Sequence, residues 1–254
     1  MSALDLRSAW HAVVPAESLR DWPIGASVLD EPIALVRMNG TVVALRDVCA
    51  HMNVALSGGW VTRYEAGDEL VCPSHRWRYN AAGRCTYIPE LGDEQVIPEW
   101  AAVPSYSARE HYGAIWVRLQ SEGQRESNEL PQLPDGRWHV AAVQAQTWKA
   151  PAQTVLDYFV MQAGNLLGSG TLSACASPLA AVWVKDGCSL AVMVSVTPLT
   201  RKASRSFWIA AVDIGIDSHL RTASLTQNEF GHAEFCKGLA HRLASGSDYA
   251  ATAG

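Results

Sequence analysis

Short apolar runs separated by turn residues fill the chain from Trp10 to about Leu119. Ser27–Leu29 and Ile33–Arg37 are apolar and are broken by Asp30-Glu31-Pro32. Asn39-Gly40 stands between Ile33–Met38 and Thr41–Leu45. That dipeptide takes the left-handed backbone of a two-residue turn, so the segment predicts a β-hairpin. Glu69–Cys72 and Trp77–Tyr79 read as strands flanking a short loop, and Thr62–Asp68 as a protruding polar loop. Ala81-Ala82-Gly83 turns the chain into Arg84–Ile88, and Val103–Arg109 and Ala114–Leu119 are strands parted at Gly113. The expectation is a small all-β domain over residues 1–119.

The pattern then changes. Ser121–Glu129 is polar, and Pro131 and Pro134 follow; residues 120–137 are expected to form a surface linker. In residues 138–254 the strand candidates are Trp138–Trp148, Ala180–Lys185, Ser189–Val196 and Ser206–Ile214. Val155–Leu167 and Asn228–Leu243 are helix candidates, and the small, polar end 244–254 is expected to fray. Strands with packed helices make the second domain α+β.

Composition narrows the function classes. A chain of 254 residues, 48% of them hydrophobic, can bury cores for two domains. The net charge of −5 and the lack of a dense Lys/Arg run argue against nucleic-acid binding. No apolar stretch approaches the length of a membrane span, and the first residues lack the basic-then-apolar pattern of a secretory signal, so a cytoplasmic location is expected. Of six cysteines, Cys85, Cys175, Cys188 and Cys236 have no paired spacing and read as small buried residues of a reducing compartment.

The other two carry chemistry. Cys49-Ala50-His51 and Cys72-Pro73-Ser74-His75 are short loops that each supply one thiolate and one imidazole. Soft donors gathered by two tight loops are a metal-binding arrangement. A [2Fe–2S] cluster with two thiolates on one iron and two imidazoles on the other needs this set. The rival is a tetrahedral Cys₂His₂ zinc site, which usually draws its cysteines from one loop and its histidines from another. The mixed loops favour the asymmetric cluster.

These motifs resemble those of the Rieske family, and within it the Rieske-type oxygenases. Asp47-Val48-Cys49-Ala50-His51 resembles the first ligand loop, and Leu70–Trp77 the second, commonly Cys-Pro-Tyr-His-Gly-Trp. The run from Tyr79 to Pro89 is also similar. The resemblance implies Cys49, His51, Cys72 and His75 as cluster ligands, with Trp77 packed beneath the cluster. Three features depart from the family: a longer spacer between His51 and Cys72, Met52-Asn53 where Arg-Gly is frequent, and Arg76 where Gly is frequent. Asn tolerates a left-handed backbone, and Arg76 reads as solvated. Respiratory-type members carry an extra cysteine in each loop; Ser74 fills one such place, which favours the oxygenase or ferredoxin branch.

The resemblance further implies a helix-grip-like α+β second domain with a mononuclear iron held by two His and a carboxylate. In the resembling segment Thr147–Gly168, Asp157 matches an Asp that bridges subunits, but Val160 stands at the first iron histidine and Asn165 or Gly164 near the second. Valine cannot ligate iron. Of the remaining histidines, His139, His219, His232 and His241 form no close pair, and His232 with Glu234 reads as a polar helix face. The expectation is a chain with a Rieske cluster and no mononuclear Fe(II). It would be an accessory, electron-transferring subunit in a trimer-based hetero-oligomer with a catalytic Rieske oxygenase subunit, fed by a reductase or ferredoxin. The alternatives are an active monooxygenase or demethylase with an unconventional iron site, and a structural subunit whose cluster stabilises the fold.

Overall fold

A computed structural model describes residues 6–64, 66–92, 96–119, 129–174, 178–185, 190–213, 236–238 and 240–241. The chain divides into two compact units. The first is Met1–Pro131 with Ala176–Pro178 and Thr197–Thr200; the second takes the rest.

The first unit carries ten strands: β1 His11–Pro15, β2 Ile24–Val28, β3 Glu31–Met38, β4 Thr41–Arg46, β5 Trp60–Tyr64, β6 Gly67–Val71, β7 Arg78–Tyr79, β8 Cys85–Tyr87, β9 Ser105–His111 and β10 Ala114–Arg118. Six form a sheet in the order β1-β10-β9-β4-β3-β2, and four form a second sheet, β5-β6-β7-β8. The continuous apolar run in β3 has a simple cause. Ile33 and Leu35 enter one buried cluster with Val13, Val28 and Val117. Ala34, Val36 and Met38 enter another, with Leu70, Trp77, Tyr79, Cys49 and Cys72. Alternate residues of a strand face opposite sides, so a strand covered on both faces is apolar throughout.

The Asn39-Gly40 hairpin forms as expected: Met38 pairs with Thr41, and φ is 51° at Asn39 and 77° at Gly40. Two expectations need correction. The break before Ile33 is confined to Leu29 and Asp30, because Val28 already pairs with Glu31 and Ser27 with Pro32. Pro32 sits at the strand start and serves the ladder through its carbonyl, which accepts the Asp47 N–H at 2.9 Å. Thr62–Asp68 is not a free loop: Thr62 pairs with Glu69 and Arg63 with Asp68 in the β5–β6 hairpin. Its tip is tied to the first sheet by reciprocal bonds, the Asn39 N–H donating to Asp68 Oδ2 at 2.7 Å and the Asp68 N–H to Asn39 Oδ1 at 3.0 Å.

The second unit contains β11 Trp138–Trp148, α1 Ala152–Leu167, β12 Gly170–Ala174, β13 Ala180–Lys185, all of β14 Leu190–Thr200 except its last four residues, which belong to the first unit, and β15 Ala203–Asp213. The strands form one sheet, β11-β15-β14-β13-β12. Helix α1 buries Ala152, Val155, Leu156, Phe159 and Ala163; Phe159 meets Trp208 of β15 edge to face at 5.3 Å. Gly168 ends the helix at φ 90°, a conformation open to glycine. The helix expected at Asn228–Leu243 lies largely outside the described residues, as do Cys175, Cys188, His219, His232 and Glu234. Among the described residues no helix is long and apolar enough to cross a membrane.

Candidate metal centre

Two loops at one end of the first unit are built on the same backbone pattern. The first follows β4: the Cys49 N–H donates to Val54 O at 2.8 Å, and the Asn53 N–H to Cys49 O at 2.9 Å. The second joins β6 to β7: the Cys72 N–H donates to Trp77 O at 2.9 Å, and the Arg76 N–H to Cys72 O at 3.1 Å. In each loop the residue four after the cysteine is left-handed, Asn53 at φ 56° and Arg76 at φ 60°. Asparagine reaches that region easily, whereas arginine there costs roughly 1–2 kcal/mol. Asp47 anchors the first loop, its carboxylate accepting the Ser57 N–H and hydroxyl, both at 2.6 Å.

The pattern places the donors. Cys49 and Cys72 are each 1% exposed. His51 and His75 are exposed, with ring centroids 4.6 Å apart and planes at 71°. Trp77 is buried and stacks flat on His51, 4.8 Å between centroids and 3° between planes. Beyond Trp77 the exposed Trp100 ring lies at 5.9 Å. The site thus runs from buried sulfur to solvent-facing imidazole.

Electrostatics fit a metal. Burial pushes the Cys72 thiol up; the N–H groups of Ser74 and His75 pull it down, and neighbouring Cys49 raises it. The Cys72 thiol is thus costly to ionise unaided, and a bound cation would supply the missing charge. The Tyr79 hydroxyl lies 3.1 Å from Cys49 Sγ and also accepts the Ala50 N–H at 3.3 Å. Either group can donate across this contact while Cys49 is a thiol; a metal-bound thiolate carries no proton, so in a loaded site the hydroxyl would be the donor. Burial and the Cys49 contact both push the Tyr79 phenol up, so it remains a donor.

Tyr79 went unnoticed as a site residue in the sequence. It lies 30 positions from Cys49 in an ordinary strand, and no spacing rule connects the two. Cys85 behaves as expected: half-buried against the same core, with its thiol pushed up to about 11 by burial.

The model of the Rieske [2Fe-2S] domain matches residues 9–107. Residues 9–107 are a Rieske domain. The chain is 35% identical over 136 residues to the methylxanthine N3-demethylase NdmB of Pseudomonas putida, an alignment spanning 51% of this chain and 38% of that protein. It is 32% identical over 113 residues to the oxygenase component of dicamba O-demethylase of Stenotrophomonas maltophilia, spanning 44% of this chain and 32% of that protein. The alignments thus cover about a third of each relative. The solved structure of Pseudomonas putida CBB5 NdmB superposes with a TM-score of 0.75 over 98% of this chain and 84% of that one, at 22% identity, a likeness of fold. Through its Rieske domain the chain is homologous to the Rieske non-haem iron oxygenases.

In the second unit Asp157 and Val160 are exposed on α1, as are Gly164 and Asn165. Gln153 Nε2 donates to Asp157 Oδ1 at 2.7 Å, and Asn165 Nδ2 donates to Gln162 Oε1 at 3.0 Å. His139 lies on β11 and His241 in the short described helical stretch near the end.

Proposed function

We propose that this chain is the electron-transferring, non-catalytic component of a Rieske-type oxygenase. Cys49 and Cys72 would hold one iron and His51 and His75 the other. The bound cluster supplies one-electron storage at a potential raised by its neutral imidazole ligands. The protein keeps the sulfurs dry, brings the Tyr79 hydroxyl to Cys49, and leaves His51 and His75 exposed to an electron donor and acceptor, with the Ser74 hydroxyl 3.0 Å from His75 Nδ1. A homologous catalytic subunit would activate dioxygen, and a reductase or ferredoxin would supply electrons.

The observation that carries the non-catalytic reading is the α1 face itself. Val160 offers no lone pair where the resemblance expects a histidine. Asn165 offers only an amide, engaged with Gln162, and the Asp157 carboxylate is held by Gln153. Iron and sulfide counting on the anaerobically reconstituted chain tests this. Two irons and two sulfides per chain are expected, with no further iron retained after desalting from excess Fe(II). A third tightly held iron per chain would overturn the non-catalytic reading.

The names of the relatives favour a second reading, an active demethylase or monooxygenase. NdmB is a demethylase and the dicamba protein is an oxygenase component. Turnover by this chain alone, given only a reductase, would establish that alternative. Activity that appears only when a homologous subunit is added would support the accessory role.

A further inference from the structure

The outer face of the β5–β8 sheet holds a concave groove of about 470 Å³. Trp60, Tyr64, Tyr87 and Pro89 form its apolar walls, Val71 its floor, and Arg76 and Arg78 its cationic edge; no carboxylate lines it. The two arginines differ in kind. Arg78 is fixed: its guanidinium lies 4.1 Å from the Tyr64 ring centroid and 3.9 Å from that of Tyr87, and its Nη1 is 3.4 Å from Glu69 Oε2. Arg76 is exposed and makes no ion pair among the described residues. It also follows His75 directly and holds a left-handed backbone, φ 60°, that glycine would adopt without strain. A strained, unpaired, solvent-facing cation beside a ligand histidine is not explained by the packing of the loop. Residues held in disfavoured conformations cluster where function requires them.

We propose that this groove is the docking surface for an acidic electron-carrier protein, with Arg76 as the residue that receives a carrier carboxylate. The proposal rests on the electron-transfer reading above. Three observations select that occupant. Glu69 balances Arg78, whereas Arg76 is left as a net positive charge at the edge, which complements an acidic patch. The aromatic walls offer rigid apolar contact of the kind that anchors protein interfaces. And Arg76 is covalently adjacent to His75, so a carrier seated on it sits within one residue of the cluster's solvent edge. The transfer moves one electron from the carrier's reduced centre to the oxidised cluster; the carrier is oxidised, the cluster is reduced, and no bond forms or breaks.

The test uses the cluster-loaded full chain and a plant-type [2Fe–2S] ferredoxin, whose centre is more reducing than a Rieske centre. Binding of oxidised ferredoxin is measured by calorimetry, and reduction by pre-reduced ferredoxin by stopped flow, each at several ionic strengths. Arg76→Glu is expected to lower the second-order reduction rate about tenfold and to flatten its salt dependence, since a docking charge acts mainly on the association step. Reduction by methyl viologen radical, which needs no docked complex, is expected to be unchanged. Arg76→Gly, which removes the cation and relieves the backbone, is expected to fold at least as well as the parent and still to weaken ferredoxin binding. Equal binding and equal rates in the parent and both variants would overturn the proposal. So would a parent chain reduced by methyl viologen but not by ferredoxin, an outcome that leaves the electron-transfer reading intact. A cluster that neither reductant reduces would overturn both.

Discussion

The Tyr79 hydroxyl lies 3.1 Å from the sulfur of Cys49, across 30 residues of chain, and both groups are buried. If Cys49 holds a cluster as proposed, the hydroxyl would donate to its sulfur and favour the more negative, reduced state, since hydrogen bonds to the sulfurs are among the features that set a cluster's potential. Tyr79→Phe keeps the ring that fills the core and removes only the donor. A net bond of about 1 kcal/mol corresponds to roughly 40 mV for one electron. The variant should therefore retain its cluster and show a potential lower by about that amount in a spectroelectrochemical titration. An unchanged potential would mean that the hydroxyl does not donate to Cys49.

Gly83 and Gly40 separate two costs of a side chain. Both have positive φ, 76° and 77°. A Cβ at Gly40 meets nothing within 4 Å, whereas one at Gly83 runs into the Val103 carbonyl oxygen. Gly40→Ala should cost only the left-handed backbone, roughly 1–2 kcal/mol. Gly83→Ala should cost that and more, because the Val103 N–H to Gly83 O bond, 2.8 Å long, must also shift. Urea unfolding of the two variants gives the difference directly; equal losses would contradict the close approach at Val103.

Arg76→Gly carries a stability prediction apart from partner binding. Relief of the strained loop backbone should raise the unfolding free energy by about 1 kcal/mol, read as a higher urea midpoint with an unchanged slope. A lower midpoint would show that the arginine side chain contributes packing that outweighs its backbone strain.

His11 links stability to pH. It is 1% exposed and its Nε2–H donates to Leu6 O at 2.7 Å. Burial lowers its pKa below the ordinary 6.5, with the Leu6 bond acting weakly the other way. In the folded state the neutral ring is kept while the unfolded chain takes up a proton, so stability is complete above about pH 6.5 and falls as pH drops below it. The slope contributed is at most about 1.4 kcal/mol per pH unit. His11→Gln, which keeps an N–H for Leu6 O, should flatten the urea midpoint against pH between about 7 and 5. An unaltered profile would assign the acid sensitivity elsewhere, for example to His111, which burial also lowers.

Much of this was legible in the residues because it depends on local rules. Asn39-Gly40 fixed its hairpin through backbone conformations that few residues reach, and β11 and β13 were bounded correctly by composition alone. The two Cys/His loops could be picked out as candidate ligand loops because ligand chemistry admits few residue types. Asn53 could be read as left-handed from its side chain. Arg76 could not, since an arginine gives no local sign of the strain that its loop imposes. The β5–β6 hairpin was mistaken for a loop because its polar face carries Thr62 and Arg63; pairing with Glu69 and Asp68, and the clasp of Asp68 on Asn39, come from partners distant in sequence.

The sequence by itself determined the two candidate Cys/His loops and the strand order's raw material, because thiolate, imidazole and β-turn preferences are properties of single residues and short spacings. The tertiary structure alone decided that Tyr79 reaches Cys49, that Trp77 lies flat on His51, and that Arg76 and Arg78 share one aromatic-walled groove. Those relationships exist only after two separate sheets bury a common core, since the chain between the groups carries no record of the distance that packing leaves between them.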